Sequence, residues 1–178
     1  MLYDWNSILD LWLPTQGSED AGSRRDGASA EQLAMAEKRL GVSLSRSYRT
    51  FLEATNGCLT GGDFVYELWP VESIDWFQKL EPQWVEAYTG PRLPSEPTVS
   101  DDKYFDYGPR QDPAYLRVEY LITALQISPT GDSAVYLLNP RVVSEDGEWE
   151  AWFFANWLPG ATRYRSFVEM ILKEYELT

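Results

Sequence analysis

The chain has no histidine and a single cysteine, Cys58, in 178 residues. Without histidine, the Ser-His-Asp and Cys-His arrangements that activate nucleophiles are excluded in their usual form. Zinc sites of the Cys/His kind are excluded with them. General acid or base work would fall to carboxylates, lysine or tyrosine. A lone thiol closes no intrachain disulfide, so the fold does not depend on oxidation. With no histidine to activate it, Cys58 reads as a small buried hydrophobe. No stretch approaches the roughly 20 apolar residues of a membrane helix. Met1-Leu2-Tyr3-Asp4-Trp5 carries an acid where a signal peptide has basic residues, so a cytoplasmic address is expected. Basic residues are scarce: 15 Lys plus Arg stand against 28 Asp plus Glu, a net charge of −13. Such a surface repels phosphate backbones and anionic membranes and attracts basic partners at long range. Neither nucleic acid nor membrane is therefore expected as a partner.

What is abundant is apolar and aromatic. The hydrophobic share is 44%, with 8 Trp, 11 Tyr and 7 Phe, which is too apolar for a disordered chain. The length suits one domain over residues 1–178 with a substantial core. Asp4 precedes Trp5, Ile8, Leu9 and Trp12, one face of a short helix that Pro14 stops. Residues 15–28, rich in Gly, Ser and charge, read as a flexible linker or exposed loop. Ser29 and Gln32 form a capping box for a helix with Leu33, Ala36 and Leu40 inward, and Gly41 suits its left-handed end. A further helix runs from about Arg46 with Tyr48, Phe51, Leu52 and Thr55 inward, and Asn56-Gly57 ends it.

Strand-like chain follows. Phe64–Trp69 is β-rich and stops at Pro70, and Val71–Leu80 holds a helical turn with Ile74, Trp76 and Phe77. Residues 81–113, with Pro82, Pro91, Pro94, Pro97, Pro109 and Pro113, read as a long surface excursion with little regular structure. Strands are expected at 120–127, at 134–138 ended by Asn139-Pro140, and at 148–154 after the Asp146-Gly147 turn. Pro159-Gly160 is another turn. Ser166 and Glu169 cap a last helix with Phe167, Met170, Ile171 and Tyr175 inward. Helices first, then strands joined by tight turns, then a closing helix predict an α+β fold with a mainly antiparallel sheet.

Two stretches resemble the SUKH superfamily, which includes yeast cell-wall-assembly regulators and many bacterial immunity proteins. The first is Leu40-Gly41-Val42-Ser43-Leu44-Ser45-Arg46-Ser47-Tyr48-Arg49-Thr50-Phe51-Leu52, closing at Asn56-Gly57. The second runs from Ile127-Ser128-Pro129-Thr130-Gly131-Asp132 through Tyr136-Leu137-Leu138-Asn139-Pro140 to Asp146-Gly147-Glu148-Trp149-Glu150-Ala151-Trp152. With Trp157, Pro159-Gly160 and Ser166-Phe167 the likeness covers most of residues 31 to 175. The family usually has proline where Ser45 stands, and a serine hydroxyl there can cap the same helix. The resemblance implies a SUKH fold, a non-enzymatic role, and often neutralisation of a toxin delivered by competing bacteria.

Two acidic regions are the candidate contact residues. Glu145, Asp146, Glu148 and Glu150 surround a turn, and alternation places Glu148, Glu150 and Trp152 on the more exposed strand face, away from Trp149. They read as a solvated hairpin or as an anionic patch for a basic partner; an acid-catalytic carboxylate pair is the weakest of the three readings. Trp152 beside the acids is a core residue or a binding anchor. Asp101 and Asp102, with Asp106 and Asp112, are interleaved with Tyr104, Phe105 and Tyr107. Their spacing does not match a twelve-residue calcium loop; they form either a solvated loop or a mobile specificity surface. Gly57–Gly62 lacks the Lys-Ser/Thr ending of a phosphate loop, and Asp63 follows it. The tryptophans could form a sugar platform, but most fit core positions, with Trp152 and Trp157 less settled. The expected protein is a non-enzymatic binder with no cofactor or metal, an immunity protein for a basic toxin domain. The alternatives are a regulatory scaffold in signalling or cell-wall assembly, and a carboxylate enzyme acting on glycans.

Overall fold

The computed structural model describes residues 3–13 and 23–177. In chain order the helices and strands are α1 (Trp5–Trp12), β1 (Ser23–Arg24), α2 (Ala30–Leu40), α3 (Arg46–Ala54), β2 (Cys58–Leu59), β3 (Glu67–Leu68), β4 (Asp75–Trp76), α4 (Phe77–Leu80), α5 (Pro82–Thr89), α6 (Asp101–Tyr104), β5 (Leu125–Gln126), β6 (Ala134–Val143), β7 (Trp149–Ala155), β8 (Ala161–Tyr164) and α7 (Phe167–Glu174). The fold is α+β with antiparallel pairing throughout the described sheets.

The local signals at helix ends operate as chemistry requires. The Asp4 carboxylate accepts from the Ser7 N–H at the start of α1. In α2 the Ser29 hydroxyl accepts from the Gln32 N–H (3.2 Å) while the Gln32 side chain accepts from the Ser29 N–H (2.8 Å), satisfying two otherwise orphaned donors. Gly41 ends that helix at φ 72°, a conformation costly for any residue with a Cβ. Ser166 caps α7 through the Glu169 N–H at 3.1 Å.

Two sheets form, a small one ordered β1-β2-β3 and a larger one ordered β4-β5-β6-β7-β8. The large sheet is covered on both faces. Towards one side Tyr136, Leu138, Trp149, Ala151 and Phe153 meet Trp5, Tyr48, Phe51 and Phe167 from α1, α3 and α7. Towards the other, Val135, Leu137, Trp152 and Phe154 meet Phe77, Val85, Leu116 and Leu121. Every residue of β7 is consequently buried. A strand enclosed on both faces carries no exposed set, so period-two alternation reports only which core a residue joins.

Several expectations are corrected. Residues 81–113 hold more regular structure than expected, in α5, α6 and a 3₁₀ turn at Gly108–Arg110, while 91–100 is irregular and exposed or half-exposed. Pro82 occupies the first turn of α5, where its missing N–H costs no helical hydrogen bond, and Val85 and Tyr104 are buried. The stretch 120–127 is a 3₁₀ helix over Val118–Thr123 followed by the short β5, and the Ala124 carbonyl accepts from the Phe77 N–H at 2.8 Å. β6 does not stop at Asn139-Pro140 but runs to Val143. The register shifts between Asn139 and Val143, so the residue lacking an N–H sits where the ladder is interrupted. Only Glu67–Leu68 of the 64–69 segment pairs as strand, and β8 is absent from the sequence reading. The Pro14 stop and residues 15–22 of the expected loop lie outside the described residues. The remainder is tied down: Ser23 and Arg24 pair with Leu59 and Cys58, and the Asp26 carbonyl accepts from the Asn56 N–H.

The second core tests this arrangement. Phe77→Ala should lower unfolding free energy by about 3–5 kcal/mol. Urea titration should show the midpoint falling with the slope unchanged; a loss below about 1 kcal/mol would mean that α4 and α5 do not pack on the sheet.

Candidate functional site

The nine candidate contact residues separate into two groups, and burial decides which. Glu150 is 1% exposed and Trp152 and Tyr104 are fully enclosed. A carboxylate removed from water needs donors on both oxygens, and four elements supply them. One oxygen accepts from the Tyr104 hydroxyl (2.6 Å), the Asn139 amide (2.8 Å) and the Trp152 indole N–H (2.8 Å). The other accepts from the Tyr107 hydroxyl at 2.7 Å, with Arg163 Nη1 3.9 Å away. Arg163, itself 0% exposed, lies over the Tyr104 ring with its guanidinium 4.5 Å from the ring centre. It donates to the main-chain carbonyls of Tyr104 and Asp106. Burial first, and the Glu150 carboxylate second, hold both tyrosine phenols well above their ordinary range, which keeps them protonated and donating. This network fastens residues 104–107 onto β7 and β8.

Glu148 is also buried, and it serves the opposite side of the sheet. Both its oxygens lie 3.1 Å from the Ser47 N–H, and one accepts from the Ser47 hydroxyl at 2.5 Å. Ser47 is the second residue of α3, so the carboxylate satisfies an orphaned donor at the positive end of a helix dipole. The cap expected from Ser45 does not form; its hydroxyl is buried without a partner. Thus Glu148 and Glu150 do not share an exposed face. Glu148 lies one residue before β7 begins, outside its paired residues, so the strand's alternation does not hold it to the side that Glu150 occupies.

The other five candidates remain on the surface. Asp101 pairs with Arg117, whose guanidinium is sandwiched near the rings of Tyr104, Phe105 and Tyr120. Asp106 pairs with Arg110 at 3.3 Å. Asp102 accepts from Ser100, which keeps its carboxyl below the usual range. Glu145 and Asp146 occupy the β6–β7 turn, where Gly147 adopts φ 79°. Among the described residues Asp102, Glu145 and Asp146 enter no ion pair.

A third surface feature escaped the sequence reading. Phe64, Tyr66 and Trp157 are 45%, 47% and 50% exposed. The rings of Phe64 and Trp157 are 5.1 Å apart, and both pack on Phe153 beneath. The Tyr66 hydroxyl donates to the Asp132 carboxylate and the Trp157 indole to the Asp132 carbonyl. Asp132 and Ser133, at φ 43° and 60°, form a two-residue hairpin turn closed by Gly131 and Ala134. The available signal was the alternation of Phe64 and Tyr66 around buried Val65, directly after Asp63.

An antiparallel sheet with α1, α3 and α7 on one face and a helical cover on the other, its inner carboxylates spent on structure and its acids displayed in loops, defines a SUKH-type α+β domain. The chain belongs to the SMI1 / KNR4 family (SUKH-1), whose model matches residues 27–173. A search of curated proteins found no match.

Two measurements test the buried network. Glu150→Gln leaves Arg163 enclosed without a counter-charge and should cost about 3–5 kcal/mol by chemical denaturation; a near-neutral result would mean that water reaches Arg163. Alkali provides the second. Phenols of Tyr104, Tyr107, Tyr136 and Tyr164 are all raised above the ordinary value of 10.0 by burial first. The folded state therefore binds these protons more tightly than the unfolded chain. Their contribution is complete below pH 10.0 and declines as pH climbs towards the folded values. The urea midpoint should fall above that pH, and Tyr104→Phe/Tyr107→Phe should flatten the decline.

Proposed function

We propose that this chain is a non-enzymatic protein-binding domain that neutralises a basic toxin domain in the manner of an immunity protein. The observation that carries this reading is the set of exposed acids, Asp102, Glu145 and Asp146, that enter no ion pair among the described residues, on a chain with a net charge of −13. Family membership supports a protein partner. Residues 104–107 and the β6–β7 turn are anchored from beneath by Glu150 and Glu148, so the acids at these places stand on a prepared surface. Prepared charge favours fast encounter more than tight holding, because solvent-exposed charges act over about 8 Å at physiological salt.

The direct test is expression of the adjacent gene's product with and without this protein. Co-purification together with rescue of growth supports immunity; co-purification with a harmless neighbour favours the regulatory-scaffold alternative. Once the partner is in hand, Lys at Asp102, Glu145 and Asp146 together should slow association about tenfold at low salt, with most of the difference vanishing at high salt. The thermal midpoint should move little, since these three carboxylates hold no ion pair. Asp101 is unsuited to this test because its reversal would leave Arg117 unpaired. Equal association rates would reduce the acids to a solubility device.

A further inference from the structure

The ring cluster of Phe64, Tyr66 and Trp157 has no structural task that requires its exposure. Phe153 already closes the core beneath it, leaving the outer ring faces to solvent. Large aromatic side chains held half-exposed on a well-formed turn are the composition of a contact surface, where tryptophan and tyrosine contribute most per residue. The acids next to the rings narrow the choice of occupant. Asp132 lies between Tyr66 and Trp157, hydrogen-bonded to both. Asp63 is exposed and adjacent to Phe64; the Asp132 hydrogen bond first, and the charges of Asp132 and Asp63 after it, raise the Tyr66 phenol's proton affinity. Among the described residues neither acid is engaged by an arginine or lysine of this chain.

Ring faces carry negative quadrupoles and draw cations, most strongly at tryptophan. Two uncompensated carboxylates beside such faces reinforce that preference. An arginine fits both parts, since its planar guanidinium stacks on an aromatic ring while its edge pairs with a carboxylate. The same chain already shows this recognition internally: Arg163 lies over Tyr104, and Arg117 over Tyr104 and Phe105. The turn that carries Asp132 is also built to hold the rings together. A Cβ on Gly131 would stand 2.5 Å from the Phe64 carbonyl oxygen and 3.1 Å from the Tyr66 ring, so only glycine lets the 64–66 segment lie across the turn.

We propose that Phe64, Tyr66 and Trp157, with Asp63 and Asp132, form a docking surface for an arginine-bearing segment of a protein partner, the guanidinium seated on the rings between the two carboxylates. The proposal rests on the protein-binding reading but not on the partner being a toxin. It places a contact away from the acids of residues 101–106 and the β6–β7 turn, and assigns to it the slow step of dissociation rather than long-range attraction.

The test is a titration of the ¹⁵N-labelled full chain with acetyl-Gly-Arg-Gly-Arg-Gly-Arg-Gly-amide, following the indole N–H cross-peaks. The Trp157 signal should shift progressively, while those of the enclosed Trp5, Trp149 and Trp152 stay in place. Trp157→Ala should weaken binding, read from the Phe64 and Asp132 amides, about tenfold. Asp63→Asn/Asp132→Asn, which keeps the rings, should weaken it about threefold to tenfold. All three substituted side chains are exposed, so both variants should keep the parent's thermal midpoint within a few degrees. Shifts scattered over the acidic surface with Trp157 unmoved would overturn the proposal. So would a Trp157 shift with chitotetraose but not with the peptide, which marks a glycan platform, or sedimentation showing that the patch closes on a second copy. Failure of growth rescue leaves the peptide result standing, whereas rescue without Trp157 involvement would move the contact face elsewhere.

Discussion

A carboxylate sealed from water has to be surrounded by donors, and much of this molecule is organised to surround that of Glu150. Its partners come from α6 and the residue three positions beyond it, from β6 and from β7 itself, with Arg163 of β8 alongside. The donors from Tyr104, Asn139 and Trp152 are enclosed, and that from Tyr107 is half-buried. The network therefore couples the placement of residues 104–107 to the pairing of the three longest strands. Buried ion pairs are weak sources of net stability, because desolvation offsets most of the attraction, but losing one partner is costly. That asymmetry suits a device whose effect is to permit one arrangement of the loop.

Local rules were legible in the sequence, and long-range cover was not. The Ser29–Gln32 box, the Gly41 terminus, the Ser166 cap and the inward faces of α1, α2, α3 and α7 follow from residue type and spacing, and each is realised. The misreading of the β7 acids has one cause. Reading Glu148, Glu150 and Trp152 as an exposed face assumes that one side of β7 meets water, which is the common condition of an antiparallel sheet. The cover on that side is built from α4, α5 and the turn around Leu121, with Tyr104 of α6 closing over Glu150. Much of it lies in a proline-bearing segment whose helices are too short to display a clear period. Tyr104 and Asp101 show the limit well: three residues apart, one is enclosed and the other at the surface.

The proposed contact groups accordingly do not lie on a sheet face. They lie on turns and loop crests, where Asp102, Glu145 and Asp146 enter no ion pair among the described residues and Phe64, Tyr66 and Trp157 supply ring area. The two kinds of group do different physical work. Charge acts before contact and is weakened by salt; aromatic area acts after contact and is not. Trp157 belongs to the second kind; the sequence set it apart from the core tryptophans together with Trp152, and burial separates the two.

The bond between Glu148 and Ser47 spans 101 residues of chain. A ribosome making about 5–20 residues each second takes roughly 5 to 20 seconds to cover that distance. For this interval α3 exists with its first turn unsatisfied and its aromatic face without a sheet to receive it. Closing so wide a loop is entropically slow, and the helix contributes its stability only after the last third of the chain has arrived. A nascent chain halted between the two residues would present Tyr48 and Phe51 to chaperones or to other chains. Truncation before position 148 is thus expected to yield aggregation rather than a smaller working domain.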